Sequence, residues 1–403
     1  MRRAAIVLLS IAVASTTFAQ TRRRGVVPGD GSIPTPVNTP ALGASVAGLT
    51  ATQLAAFNAG RGTFVRDETP NSGLGPVFNQ RSCSDCHNAS ATGGGGNRTV
   101  TRIGTTTNGV FDALTALGGS LIQDQAIGGN GLHRFQPERV PAQATIVTRR
   151  RTTPVFGLGF VDATPDSAFI ALAANEAARG DGTAGRINMT DNIRAGMKTV
   201  GKFGWKAQVP SLLQFSGDAL LNEMGITNPD FPAENCPQGD CTELAFNPAP
   251  GLNDTGTRVT ELLNFMMLLA APPRGTQNAA TAAGEQVFNQ LGCGSCHVST
   301  LISGSSSIAA LSNQTYHPYS DFLLHDMGSL GDGIVMADST ANEMRTAPLW
   351  GLRFFNRYLH DGRATTLDAA ITAHDGQARG ARDRYVALAA NAKANLIAFL
   401  QSL

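Results

Sequence analysis

Two copies of one short stretch constrain this 403-residue chain more than any other feature. Val77-Phe78-Asn79-Gln80 leads through two residues into Cys83-Ser84-Asp85-Cys86-His87, and Val287-Phe288-Asn289-Gln290 leads through two residues into Cys293-Gly294-Ser295-Cys296-His297. Both copies end as C-x-x-C-H, the attachment signature of c-type haem. Thiols at that spacing can add to the two vinyl groups of one porphyrin, and the adjacent His then stands under the iron as proximal ligand. A redox dithiol needs no His after its second Cys, and a zinc shell built from four Cys leaves both His unexplained. The shared prefix at identical spacing points to two equivalent units, each with its own covalently bound haem c.

Arg2-Arg3, the apolar run from Ala4 to Ala14 and the small residues around Ala19 read as a secretory signal peptide over 1–19. The Arg-, Pro- and Gly-bearing stretch over 20–48 reads as a flexible linker. No later stretch approaches the roughly eighteen apolar residues of a membrane span, so a periplasmic or otherwise exported protein is expected. That compartment permits disulfides. Cys236 and Cys241, outside the two motifs, flank a short Pro- and Gly-bearing loop suited to a local bridge. With 31 Lys and Arg against 30 Asp and Glu, nothing suggests nucleic acid as a partner.

A helix is expected from Thr50 or Thr52, delivering the chain to the first motif. The run Gly93-Gly94-Gly95-Gly96 suits a close approach of backbone to the porphyrin edge. Between Thr99 and Gly204 the sequence mixes β-like pieces, such as 144–148, with one helical piece at 167–178, and reads as an insertion over the first haem unit. A helix at 261–269 ends in Ala271-Pro272-Pro273, a natural boundary, and the chain closes with an amphipathic helix over 383–403. The expected fold is mainly α, with two cytochrome c-like haem domains. The first spans 49–273, with a loop-rich, partly β insertion at about 99–204, and the second spans 274–403.

Arg345-Thr346-Ala347-Pro348-Leu349-Trp350-Gly351-Leu352, leading to Tyr358-Leu359-His360-Asp361-Gly362, resembles the bacterial di-haem cytochrome c peroxidase superfamily. Leu323-Leu324-His325-Asp326-Met327-Gly328 and Phe203-Gly204-Trp205-Lys206-Ala207-Gln208-Val209-Pro210 resemble its di-haem oxidoreductase branch. The resemblance implies that the N-terminal haem reacts with hydrogen peroxide and that the C-terminal haem relays electrons from a small donor, a cytochrome c or a cupredoxin. His87 and His297 would be the proximal ligands. The distal ligand of the second haem falls fourteen residues beyond His360, at His374. The peroxidases proper carry Met there, and Met raises a haem potential relative to His. Met327 and Met344 compete for that role, and His325 is expected to pack near the haem. His360 is the alternative axial ligand, although the resemblance gives it hydrogen bonding near the haem propionates, and Trp205 is the nearest counterpart of the superfamily's bridging Trp.

Glu223-Met224-Gly225 matches the superfamily's catalytic Glu. Peroxide heterolysis needs a base for the proximal oxygen's proton, and a carboxylate over an open iron position can serve. No His follows the first motif where relatives often place a removable ligand, so an open distal face is expected, with His133 as a loop residue. Relatives also hold a calcium ion between their haem domains, although no dense carboxylate loop here demands one. Two other functions stay open: an electron carrier in which Glu223 is idle, and an oxidase of a partner protein or organic substrate.

Overall fold

The computed structural model describes residues 40–403. The signal peptide at 1–19 and most of the linker at 20–48 lie outside the described residues. The linker's end does not hang free. The Val46 N–H donates to Leu268 O (2.8 Å) and the Ala270 N–H to Ala44 O (3.0 Å), which brings Val46 into a small core with Leu311. No described helix is long and apolar enough to cross a membrane.

The structure is 36% helical and 15% strand, so helix predominates, but the strands are spread over many small sheets. Nine α-helices succeed one another along the described residues: α1 (Ala51–Phe64), α2 (Leu158–Asp162), α3 (Asp166–Arg179), α4 (Leu212–Met224), α5 (Thr257–Leu268), α6 (Ala279–Gln290), α7 (Leu367–Thr372), α8 (Arg379–Val386) and α9 (Ala390–Ser402). Thr50, not Thr52, caps α1. Its hydroxyl accepts from the Gln53 N–H (3.2 Å) while Gln53 Oε1 accepts from the Thr50 N–H (3.0 Å), a reciprocal capping box. The expected terminal helix is two helices, because Ala389 takes an extended conformation (ψ 151°) and restarts the chain as α9.

The apolar residues gather into two large clusters. In the first, Phe57 of α1 stacks on Phe265 of α5 (centroids 5.3 Å apart) and Phe64 meets the same ring at a tilt (4.6 Å), among Phe78, Phe156 and Leu212. Tyr316, Phe322 and Trp350, from the C-terminal part of the chain, belong to the same cluster. In the second, Phe288 of α6, Phe399 of α9 and Tyr319 stand 5.4–5.9 Å apart in edge-to-face contact. Each buried aromatic contributes roughly 1.5–3 kcal/mol by leaving water.

The duplicated prefix does not fold twice the same way. Val77-Phe78 is a strand paired antiparallel with Gln125–Ala126, whereas Val287-Phe288-Asn289-Gln290 forms the last turn of α6. The flanks decide it. Gly73-Leu74-Gly75-Pro76 cannot lead a helix into the first copy, while Ala279-Ala280-Thr281-Ala282-Ala283 supplies helix formers ahead of the second.

In the stretch 99–204, Thr99–Thr107 is the long strand of a four-stranded antiparallel sheet, pairing with Ile146–Arg151, Leu121–Ile122 and Val110–Asp112. Side chains alternate across a strand, so Arg102 and Arg150 share one face and Arg151 takes the other. This stretch is not tied to the first haem unit alone. Arg150 pairs with Asp332 (2.7 Å), Lys206 reaches the same carboxylate (3.1 Å), and Arg186 pairs with Glu343. Lys206 and Asp332 have no exposed side-chain surface. Burial pushes the Asp332 carboxyl up, but Arg150 and then Lys206 outweigh it and hold it below its usual value. The contribution is therefore present above the ordinary Asp range and lost as pH falls through the lowered native value. Asp332→Ala leaves two buried cations uncompensated and is expected to destabilise the fold by about 3–5 kcal/mol, read as a lower midpoint in denaturant unfolding.

Candidate functional site

The first motif sits in a short helical turn, Cys83–Asp85, capped by Ser82. The glycine run after it packs closely against the motif's own backbone. A Cβ on Gly96 would lie 2.2 Å from Cys86 O, and one on Gly94 would lie 2.0 Å from Ala89 O. The His87 ring stands 6.0 Å from that of Phe64, and burial drops its pKa to about 4, so the imidazole is neutral and able to ligate. Burial raises Cys83 and Cys86 to about 12, with Cys86 second in effect on Cys83 and Glu223 second on Cys86. Neither is the depressed thiol of a redox dithiol.

Glu223 occupies the last turn of α4. Gly225 ends that helix at φ 62°, where a side chain is strained, and a Cβ there would lie 2.6 Å from the Gly75 Cα. This close crossing lets the Glu223 carbonyl accept from the Asn79 N–H (2.8 Å), which brings the carboxylate beside the strand that precedes the first motif. Asn79 Nδ2 then donates to Glu223 Oε2 (2.9 Å). The Asp124 N–H donates to Asn79 Oδ1 (3.3 Å), which fixes which end of the amide faces the carboxylate. Burial pushes the Glu223 carboxyl up; Arg102 and Asn79 pull it down, and Asp218 adds to the rise.

His133 is engaged elsewhere. Its ring stacks on Phe246 at 4.2 Å, and Nε2 lies 2.8 Å from the Glu243 carboxylate. Cys236 and Cys241 are joined, with Cα atoms 4.5 Å apart.

The second motif opens onto a cavity of about 540 Å³ lined by Cys293, Cys296, His297 and His374, with Met327 and Met344 on its wall. His297 Nδ1 lies 2.9 Å from Tyr319 O, and His374 Nδ1 lies 2.8 Å from Ala370 O. Carbonyls only accept, so each Nδ1 carries the proton and each Nε2 keeps its lone pair. The two rings face each other with centroids 6.5 Å apart. An iron held by a nitrogen from either side at about 2 Å sets two imidazole centroids about 6 Å apart, so this pair fits one haem. Burial lowers both pKa values, that of His297 to about 4 with His374 adding to the drop. His325 is occupied at both nitrogens, 2.9 Å from Asp321 and 3.5 Å from Cys296 Sγ. Cys296, Asp321 and His325 form the one close metal-capable cluster among the described residues. Neither a four-Cys zinc shell nor a carboxylate cage for calcium is drawn together there.

Comparison with known proteins decides the family. The family described as "Di-haem oxidoreductase, putative peroxidase" matches residues 138–403, about two-thirds of the chain. The chain belongs to this family. The matched residues include Trp205, Glu223, the second motif and His374, and leave the first motif outside. No curated protein matches the chain. Among solved structures, Kuenenia stuttgartiensis hydrazine synthase is similar at 14% identity, covering 93% of this chain and 99% of that one, with a TM-score of 0.40. A MauG-like protein associated with microbial copper homeostasis is similar at 15% identity, covering 93% and 95%, with a TM-score of 0.39. Both likenesses are too loose to transfer anything to this di-haem oxidoreductase.

In this di-haem oxidoreductase Trp205 and His360 meet at the wall of the second cavity, rings 6.2 Å apart and edge to face. Trp205 Nε1 donates to Arg151 O (2.9 Å). His360 is buried and its Nε2 lacks a partner among the described residues. Arg151 and Arg345 line the same cavity, and sequence reasoning passed over both. The signal was available, because they open matching segments, Arg-Thr-Thr-Pro at 151–154 and Arg-Thr-Ala-Pro at 345–348.

Proposed function

We propose that this di-haem oxidoreductase is an exported c-type enzyme. In this reading it reduces hydrogen peroxide at the haem of Cys83–His87, with electrons passed through the haem of Cys293–His297 from a cytochrome c or cupredoxin. The observation that carries the reading is the inequality of the two sites. One pairs His297 with His374 across a cavity, and the other sets a half-free carboxylate, Glu223, near Cys86. One haem is assigned to each of 49–273 and 274–403; the second apolar cluster lies wholly within 274–403, while the first also draws in Tyr316, Phe322 and Trp350.

Bound haem supplies the iron at which peroxide coordinates and the electrons that cleave its O–O bond. Every other requirement falls to the chain. The four thiols of the two motifs would hold the groups covalently, with His87 and His297 as proximal ligands and His374 opposite His297. Glu223 Oε2 is held by Asn79, which leaves Oε1 to take the peroxide proton and return it to the departing hydroxide. The net reaction consumes two protons and two donor electrons per peroxide and yields two waters. Trp205 and His360, in contact at the cavity wall, support electron passage between the sites.

The test is peroxide consumption by the holoprotein with a reduced small cytochrome c as donor. Oxidation of two donor equivalents per peroxide is expected. Reversible oxidation and reduction without peroxide consumption would favour the carrier reading instead.

Asn79 gives a narrower prediction. Glu223 acts ionised and its pKa is raised, so the acid limb of the peroxide reaction lies above the ordinary carboxylate value. Asn79→Ala removes a bond that favours the charged form and is expected to move that limb to higher pH, with Arg102, Arg98 and Asp218 unchanged around it. Asn289→Ala, at the matching position of the second copy, should leave the profile alone.

A further inference from the structure

The segments 151–158 and 345–352 share Arg, Thr, Pro, Gly and Leu in register, and they fold alike. Gly157 and Gly351 take φ 69° and 77°, and each leads into a helical turn, α2 in one case and Leu352–Phe354 in the other. Their arginines are buried to the same degree, 8% exposed for Arg151 and 7% for Arg345. Each guanidinium lies over an aromatic ring, Phe355 at 5.5 Å and Phe322 at 5.3 Å.

Neither arginine has a carboxylate within ion-pair reach among the described residues. The contrast with the adjacent residue is sharp: Arg150, on the other face of the strand, has Asp332 at 2.7 Å. Arg345 gives Nε to Gly204 O (2.6 Å) and one terminal nitrogen to Thr346 O (3.1 Å), both neutral acceptors. Arg151 Nε has no partner at all among the described residues. A buried guanidinium without an anion is strongly unfavourable, so both positions call for a carboxylate or phosphate brought in by a ligand.

Their placement says which. Arg345 lines the cavity into which His297 and His374 face. Arg151 lines that cavity too, and also a smaller one of about 300 Å³ beside Ala89 and Gly96, just past the first motif. Haem carries two propionate carboxylates, and a guanidinium fork matches a carboxylate with two parallel bonds. We infer that Arg151 and Arg345 are the propionate-binding residues of the two haem sites, Arg345 for the haem at Cys293–His297 and Arg151 for the haem at Cys83–His87. The inference rests on the haem reading above and adds to it the residues that neutralise the cofactor's acid groups.

The test uses the holoprotein carrying Arg151→Gln, Arg345→Gln and the two corresponding Lys variants. Haem content, the midpoint potential of each haem by spectroelectrochemistry, and propionate bending modes by resonance Raman are read on each. A parent protein without two covalent haems would overturn the haem reading and this inference with it. With both haems in place, each Gln variant should lower the potential of its own haem, because losing the nearby cation favours the ferric state, and should shift that haem's propionate mode. The Lys variants should restore most of the potential but not the mode, since an ammonium lacks the planar fork. If the Gln variants do not fold, the mode in the Lys variants decides alone. Parent-like potentials and propionate modes in the variants, with both haems attached, would overturn the inference and leave the haem reading standing.

Discussion

Glu223→Gln is expected to slow the reaction with hydrogen peroxide by roughly 10²–10⁴-fold, the usual worth of one positioned acid-base group. Gln keeps the shape and can still accept from Asn79 Nδ2 through its carbonyl oxygen, so the crossing of α4 with the strand before the first motif survives. What is lost is the carrier of the proton at Oε1. Rapid mixing of the ferric protein with peroxide measures this directly, and the haem spectra before mixing should match the parent. The remaining rate should also lose its acid limb, because the titrating group is gone. A Gln variant as fast as the parent would remove Glu223 from the mechanism and return weight to the electron-carrier reading.

The second large effect is expected at His374. His374→Ala removes the imidazole that faces His297 and should convert the low-spin spectrum of the C-terminal haem to a high-spin one, with the first haem unchanged. His374→Met restores the ligand type of the peroxidases proper and should raise that haem's potential by on the order of 0.1 V, within the ~0.8 V over which axial ligands tune haem. The local frame should tolerate either change. Thr366 caps α7, and Asp375, held by Ser329 and Arg379, pins the turn after it without using the His374 ring. Spectroelectrochemical titration separates the two haems by potential. An unshifted C-terminal haem in both variants would transfer the role to Met327 or Met344, which share the cavity wall.

Features set by local chemistry were legible in the sequence. The Thr50 cap, the helix at Asp166–Arg179 and the Cys236–Cys241 bridge depend on residues within a few positions of one another. The pairing of His374 with His297 was reached through the resemblance, and the cavity geometry fits it. Features set by distant partners were not legible. Identical Val-Phe-Asn-Gln prefixes suggested equal units, yet one became a strand beside Gln125–Ala126 and the other a helix end, because neighbours outside the tetrapeptide decide its backbone. Arg150 and Arg151 are adjacent in sequence, yet strand alternation turns Arg150 to Asp332 and Arg151 to the cavity wall. The glycine run at 93–96 asked for a close approach, and the sequence could not say that the approaching group is the backbone at Cys86 and Ala89.

The central claim is that two like motifs serve two unlike haems. Resting-state EPR of the purified ferric holoprotein tests it most directly, because it reports both axial ligand sets in one spectrum. One high-spin signal from the haem at Cys83–His87 and one low-spin signal of the bis-imidazole type from the haem at Cys293–His297 are expected. Two low-spin six-coordinate haems that persist after partial reduction would contradict the account.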